Sequence, residues 1–179
     1  MTNKKVVISK AAIERRVKEL GKAITRDYAE GELVIVGVLN GAFIFAADLV
    51  REIDLPLVVD FVRVASYGAN TSSSGKLNFT KDIELPIAGK DVLLVEDIVD
   101  TGQTISYLKK FLAAKGARSV KICALLDKKE RREIDVALEY IGFTVEAGFV
   151  VGYGLDCAEQ YRNLPEVYRL MNSGSGKNG

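Results

Sequence analysis

The sequence predicts an α/β fold built on a mainly parallel sheet, and three observations carry that prediction. Short, nearly continuous apolar runs recur at Leu33–Leu39, Val92–Val95 and Val120–Leu126, as in strands buried on both faces. Segments with helical spacing lie between them, so strand and helix alternate through the middle of the chain. Polar or glycine-containing loops close the same runs, at Asn40-Gly41, Glu96–Thr104 and Lys128. Ligands of parallel sheets sit beyond such C-terminal strand ends.

The elements follow in order. Val6–Ser9 reads as a first strand, with Ser9 as the N-cap of a helix near Ala11–Tyr28. Strand Leu33–Leu39 leads through Asn40-Gly41 to a helix passing Asp48 and Glu52. A β-rich stretch spans Leu57–Tyr67, a small-residue polar loop spans Gly68–Lys76, and Phe79–Leu85 is expected to return as a strand. After Val92–Val95 comes a helix with Ile105, Leu108, Phe111 and Leu112 on one face and Gly116 as its stop. Strand Ser119–Leu126, short strands near Thr144 and Phe149–Gly152, and a brief helix near Ala158–Arg162 complete the reading. One domain is expected over residues 1–172, with a disordered tail at 173–179.

Composition excludes several kinds of chemistry. The chain contains no histidine among its 179 residues, so Ser-His-Asp, Cys-His and His-ligated zinc centres are out. Proton transfer falls to a carboxylate, Lys, Tyr or water, and any metal is expected to be hard and oxygen-bound, Mg²⁺ first. The formal net charge is +1, and the basic residues form no long block, so nucleic acid is not the expected partner. No apolar run is long enough to span a bilayer. The opening Met-Thr-Asn-Lys-Lys shows no signal-peptide pattern, and the two cysteines give no disulfide framework. A cytoplasmic setting is expected.

The most informative segment is Val92–Thr104. An apolar strand is followed by Glu96 and Asp97, and Asp100 then opens a Thr101-Gly102-Gln103-Thr104 loop before a helix. Backbone N–H groups at a helix N-terminus form a site for phosphate. Adjacent acids would repel that phosphate unless Mg²⁺ or sugar hydroxyls lay between them. The plainer alternative is a solvated acidic loop with Thr101 or Thr104 as an ordinary N-cap.

Other motifs are weaker alone. Gly37–Ala42 is either a plain connection or a backbone contact for an anion. Ser66-Tyr67-Gly68 with the following serines reads as a surface hairpin or as a lid that excludes water. In Asp127–Arg132, Lys129 and Glu130 read as solvated surface while Lys128 is a candidate for the cleft. Phe149 is either core or a platform for a flat base. The Gly152-Tyr153-Gly154 pair lacks the third glycine of a dinucleotide fingerprint, and no Walker-type phosphate loop is present.

Taken together, these residues resemble the hypoxanthine-guanine phosphoribosyltransferases of the type I phosphoribosyltransferase group. Glu96–Thr104 resembles that group's phosphoribosyl-pyrophosphate motif. Ser66-Tyr67-Gly68, Leu126-Asp127-Lys128, Phe149–Asp156 and Arg162-Asn163-Leu164-Pro165 narrow the resemblance to purine enzymes. It implies the type I fold: a mainly parallel twisted sheet flanked by helices, a small hood region and a flexible closing loop at about 66–78. It implies transfer of phosphoribosyl from phosphoribosyl pyrophosphate to a 6-oxopurine, with Mg²⁺.

The resemblance also implies roles. Asp100 is the general base. Thr101, Gly102, Gln103 and Thr104 cradle the 5′-phosphate, and Glu96 and Asp97 hold the ribose hydroxyls. Asn40, Gly41 and Arg162 contact pyrophosphate. Lys128 faces the 6-oxo group, Phe149 stacks on the base, and the Val150 carbonyl reads its edge. Asp156 lies at the purine site and, with Glu96 and Asp97, near the metal. Ser66 and Tyr67 lie on the closing loop. A homodimer or homotetramer is expected.

Two rival readings remain at the level of sequence. One is a regulatory protein that binds the same donor without catalysis, although the chain shows no surplus DNA-binding segment. The other is a transferase for xanthine, adenine or a pyrimidine, with Lys128 and Phe149 arguing against adenine.

Overall fold

The computed structural model describes residues 3–65 and 78–171. Ser66, Tyr67 and most of the expected closing loop lie outside the described residues, as does the 173–179 tail.

The first helix illustrates how the sequence dictates local structure. α1 (Lys10–Asp27) follows β1 (Lys4–Ile8) and starts where predicted, with Ser9 Oγ accepting the Ala12 N–H at 3.3 Å. Ile13, Val17, Leu20 and Ile24 are buried along one face, at the spacing that places side chains on a common stripe. β2 (Leu33–Leu39), α2 (Phe43–Arg51) and β3 (Leu57–Ala65) follow. Next come β4 (Asn78–Lys81), β5 (Asp91–Val99), α3 (Gln103–Ala114), β6 (Ser119–Lys128) and β7 (Tyr140–Val145). β8 (Val150–Val151) and β9 (Val167–Leu170) end the series.

Six strands form one sheet in the order β4-β3-β2-β5-β6-β7, parallel except for the edge strand β4. Both faces are covered. Leu33, Ile35, Leu93 and Val95 join α1 and α2 in one core cluster. Val34, Val36, Val92 and Leu94 join α3's Ile105, Leu108 and Leu112 in the other. The alternation of side chains along a strand sends neighbours to opposite cores, so β2 and residues Val92–Val95 of β5 read as unbroken apolar runs. A second sheet, β1-β9-β8, is antiparallel and supplies the expected small hood.

β9 lies in the C-terminal segment for which no element was expected, and two expected elements are shortened or lost, each for a local reason. The strand expected over Phe79–Leu85 stops at Lys81. Beyond it the N–H groups of Glu84 and Leu85 donate to Asp60 Oδ2, at 2.7 and 2.9 Å, instead of to a ladder partner. The helix expected near Ala158–Arg162 is absent. Ala158, Glu159 and Tyr161 have φ of 51°, 62° and 76°, and Cys157 and Gln160 exchange reciprocal backbone hydrogen bonds of 3.1 Å. Two left-handed central residues make this a primed hairpin turn.

Asp60 also carries a pH dependence. Its burial pushes the carboxyl up, but the N–H groups of Leu85, Glu84 and Phe61 and the Lys81 ammonium outweigh that and hold it below its ordinary 3.8. A depressed folded value means that stability from Asp60 is present above the unfolded value and is lost as pH falls through the folded one. Urea titrations below pH 4 are expected to show this acid loss, and Asp60→Asn should flatten it. An unchanged acid limb in Asp60→Asn would refute the assignment.

Candidate active site

β2, β5 and β6 are adjacent and parallel, so their C-terminal ends open on one edge. β2 ends before Asn40-Gly41, β5 carries Glu96 and Asp97 and ends before Asp100, and β6 ends at Lys128. The chain runs from β2 to β3 on one side and from β5 to β6 on the other. The β2–β5 boundary is therefore the switch point at which ligands of open sheets bind.

Two strands extend further than the apolar pattern indicated. β5 does not end at the acids; it continues through them, with Ile98 opposite Leu126 and Val99 opposite Asp127. Lys128 is the last residue of β6, opposite Val145, and its side chain is only 9% exposed. A buried ammonium needs partners. It finds Glu130 Oε2 at 3.2 Å and Asp100 Oδ2 at 3.9 Å.

Glu96 and Asp97 are held together within the strand. Burial, then the neighbouring Asp97 charge, pushes the Glu96 carboxyl well above the usual range. Burial also raises Asp97, against hydrogen bonds from Glu96 and the Ile98 N–H and the charge of Arg162. The Asp97 carboxylate packs onto Gly41: a Cβ there would lie 1.8 Å from Asp97 Oδ2, so any larger residue would displace that carboxylate. The Leu39–Asn40 peptide beside it is cis.

The acids run directly into the predicted anion loop. Residues 96–102, 104 and 105 line one depression. Neither Thr101 nor Thr104 caps α3. Gly102 does so at φ +84°, a left-handed conformation, without a side-chain cap. A Cβ at Gly102 would also meet Ile134 O at 2.3 Å. Thr101 Oγ1 instead accepts the Gln103 N–H at 3.3 Å. The first-turn N–H groups of α3 point out of the helix without carbonyls of their own.

The 152–162 segment closes the opposite wall. Arg162 Nη1 donates to Gly154 O at 2.8 Å, and its Nη2 lies 3.0 Å from both Asp156 and Glu159. A Cβ at Gly154 would stand 2.1 Å from Gly41 O, so this segment abuts the β2 loop and the Asp97 side. Phe149 is 55% exposed, which removes the core alternative for its ring. The N–H of neighbouring Gly148 reaches Glu130 Oε2 at 3.4 Å. Glu130 thus joins Lys128 to the turn before Phe149.

Residues 7–158 match the family model described as the phosphoribosyl transferase domain. The chain is 46% identical to the hypoxanthine phosphoribosyltransferase of Salmonella typhimurium, over 93% of this chain and 94% of that one. The chain belongs to the hypoxanthine-guanine phosphoribosyltransferase family. The Aquifex aeolicus hypoxanthine-guanine phosphoribosyltransferase is 49% identical over 93% of this chain and 94% of its own. A crystal structure of the Bacillus anthracis hypoxanthine-guanine phosphoribosyltransferase superposes with a TM-score of 0.88. It is 43% identical and covers 96% of this chain and 99% of that one.

The loop is also held by residues to which the sequence reading gave no role. Of the 127–132 run, read there as solvated surface at Lys129 and Glu130, Arg131 and Arg132 join Glu133 and Ile134 in a clamp on the anion loop. Arg132 donates to Asp100 O at 2.9 Å, Val99 O at 3.0 Å and Asp127 Oδ1 at 2.5 Å. The N–H groups of Glu133 and Ile134 both donate to Thr101 O at 3.0 Å. Arg131 pairs with the Asp100 carboxylate, and Gln103 donates to Glu133. The consecutive charges 129–133 were the available signal, but such runs mark solvated faces more often than clamps.

Among the described residues, no three acidic, Cys or His side chains converge as a metal cluster. Asp156, expected near the metal with Glu96 and Asp97, pairs with Arg162 at 3.0 Å and accepts the Glu159 N–H at 2.9 Å. Two hard carboxylates beside an anion loop still fit Mg²⁺, which is often bound by one or two carboxylates together with substrate phosphates.

Proposed function

We propose that the chain transfers the 5-phosphoribosyl group of phosphoribosyl pyrophosphate to N9 of hypoxanthine or guanine, releasing pyrophosphate and giving IMP or GMP in purine salvage. The observation that carries this reading is Asp100. Its Oδ1 is buried without a hydrogen-bond partner among the described residues, and its other oxygen lies 3.9 Å from the buried Lys128 ammonium. An acceptor beside a cation complements the N7–H and 6-oxo edge of an oxopurine. A 6-amino group would leave the Lys128 donors unpaired.

The residues then divide the work. Residues 101–104 hold the 5′-phosphate at the α3 N-terminus. Glu96 and Asp97 take the ribose hydroxyls. Asn40-Gly41 and Arg162 face the pyrophosphate, and Phe149 stacks on the base while the Val150 carbonyl reads its edge. The N9 lone pair bonds to the anomeric carbon as that carbon's bond to the pyrophosphate oxygen breaks. The N7 proton passes to Asp100, and the transition state resembles an oxocarbenium ion, as in glycosyl transfer. Glu96, Asp97 and Asp156 border the place where Mg²⁺ would neutralise the leaving pyrophosphate. Ser66 and Tyr67 are assigned to the loop that keeps water out.

The test is a turnover panel with hypoxanthine, guanine, xanthine, adenine and uracil, run on the parent and on Lys128→Met. The parent should use the first two bases. Lys128→Met should raise KM for hypoxanthine roughly ten- to hundredfold, the worth of a charge-assisted hydrogen bond at ~1.5–3 kcal/mol. An unchanged KM would remove Lys128 from base recognition, and turnover of uracil alone would overturn the assignment.

The two cysteines, both free, support a reducing cytoplasm as the setting. No helix of the described residues is long and apolar enough to cross a membrane. Exposed Phe43, Val58 and Val59 support assembly as a dimer or tetramer, which light scattering would measure.

A further inference from the structure

We infer that Arg131 is a positioning residue for the reaction: it fixes the rotation of the Asp100 carboxylate by holding Oδ2. This inference rests on the proposed role of Asp100 as base and adds a residue to it. One Asp100 oxygen, Oδ2, accepts from Arg131 Nε at 3.0 Å and from Nη2 of the same guanidinium. The other, Oδ1, is buried and has no hydrogen-bond partner among the described residues. The terminal torsion of an aspartate is soft and broad, so the side chain alone does not decide the plane of its carboxylate. Two donors from one rigid fork, converging on one oxygen, do decide it.

Arg131 can serve as this anchor because its own backbone is fixed to the same loop. Arg132 holds the carbonyls of Val99 and Asp100, and the N–H groups of Glu133 and Ile134 hold Thr101 O. Lys128 cannot replace it, since its Nζ is 3.9 Å from Oδ2 and closer to Glu130, at 3.2 Å. The Arg131 side chain is 68% exposed, and exposed ion pairs add little to stability. Loss of the guanidinium should therefore appear in catalysis and not in folding.

The experiment compares Arg131→Met, which keeps the aliphatic stem, and Arg131→Lys with the parent, each in the Asp100 and Asp100→Asn backgrounds. Steady-state kcat and KM for phosphoribosyl pyrophosphate are measured with hypoxanthine, alongside thermal midpoints. Arg131→Met is expected to lower kcat roughly ten- to hundredfold, the scale of a misplaced catalytic group, with KM for the donor and the midpoint unchanged. Arg131→Lys should recover part of the loss. In the Asp100→Asn background the same change should alter kcat by less than about threefold, because there is no base left to orient. Full kcat in Arg131→Met would overturn the inference, as would an equal loss in both backgrounds or a kcat above the parent's. An Asp100→Asn enzyme that still turns over normally would instead defeat the parent reading of Asp100.

Discussion

Asp100→Asn is expected to lower turnover by ~10²–10⁴-fold, the usual worth of a general base, while leaving the fold intact. The substitution is nearly isosteric, and the clamp that shapes the loop acts on main-chain atoms. Arg132 grips Asp100 O and Val99 O, and Thr101 O takes two further N–H groups; none of these bonds uses the Asp100 carboxylate. What the variant loses is an acceptor able to take the N7 proton. A loss made only in the transition state lowers kcat and kcat/KM together, so KM for both substrates should hold. Single-turnover measurements with hypoxanthine would check this directly. Near-normal kcat would remove Asp100 from the mechanism.

The sheet was readable because its chemistry is local. A strand segment buried on both faces must be apolar at every position, and β2 and the Val92–Val95 part of β5 show that. Ser9 and Gly116 mark helix ends by capping and by a left-handed stop, here at φ +88°. The site's main line was equally local, since Glu96, Asp97, Asp100 and the 101–104 loop are contiguous. Strand order then placed Asn40 and Lys128 beside them, a consequence of any parallel sheet with adjacent β2, β5 and β6.

What escaped the sequence depends on contacts between distant segments. β4 is cut short by the Asp60 carboxylate, which lies 24 and 25 residues from the N–H groups it captures. The 157–160 turn puts Ala158 and Glu159 where Asn-Gly is the usual signal, so nothing in the local sequence announced it. Asp156 Oδ2 helps hold that turn through the Glu159 N–H. Its other oxygen meets Arg162. The 131–134 clamp crosses more than thirty residues of sequence to reach Asp100, and a run of charges does not reveal which of them will be buried.

The largest stability effect should come from that clamp. Arg132→Ala is expected to cost roughly 3–5 kcal/mol, the loss typical of breaking a buried ion pair by removing one partner. The Arg132 side chain is 14% exposed and that of Asp127 only 4%, so water cannot readily replace the guanidinium. Alanine would strand the Asp127 charge and release the carbonyls of Val99, Asp100 and Lys128. Lys129 stands 3.9 Å from Asp127, but its side chain is 73% exposed, a poor substitute for a buried donor. Urea denaturation at constant m would report the loss as a lower midpoint. Asp127→Asn/Arg132→Met should regain much of it, because no buried charge is left unpaired and the stem volume is kept. If Arg132→Ala instead lost under about 1 kcal/mol, the range of an exposed pair, Arg132 would be a surface contact and the anion loop would have to be held by the Glu133 and Ile134 N–H groups alone.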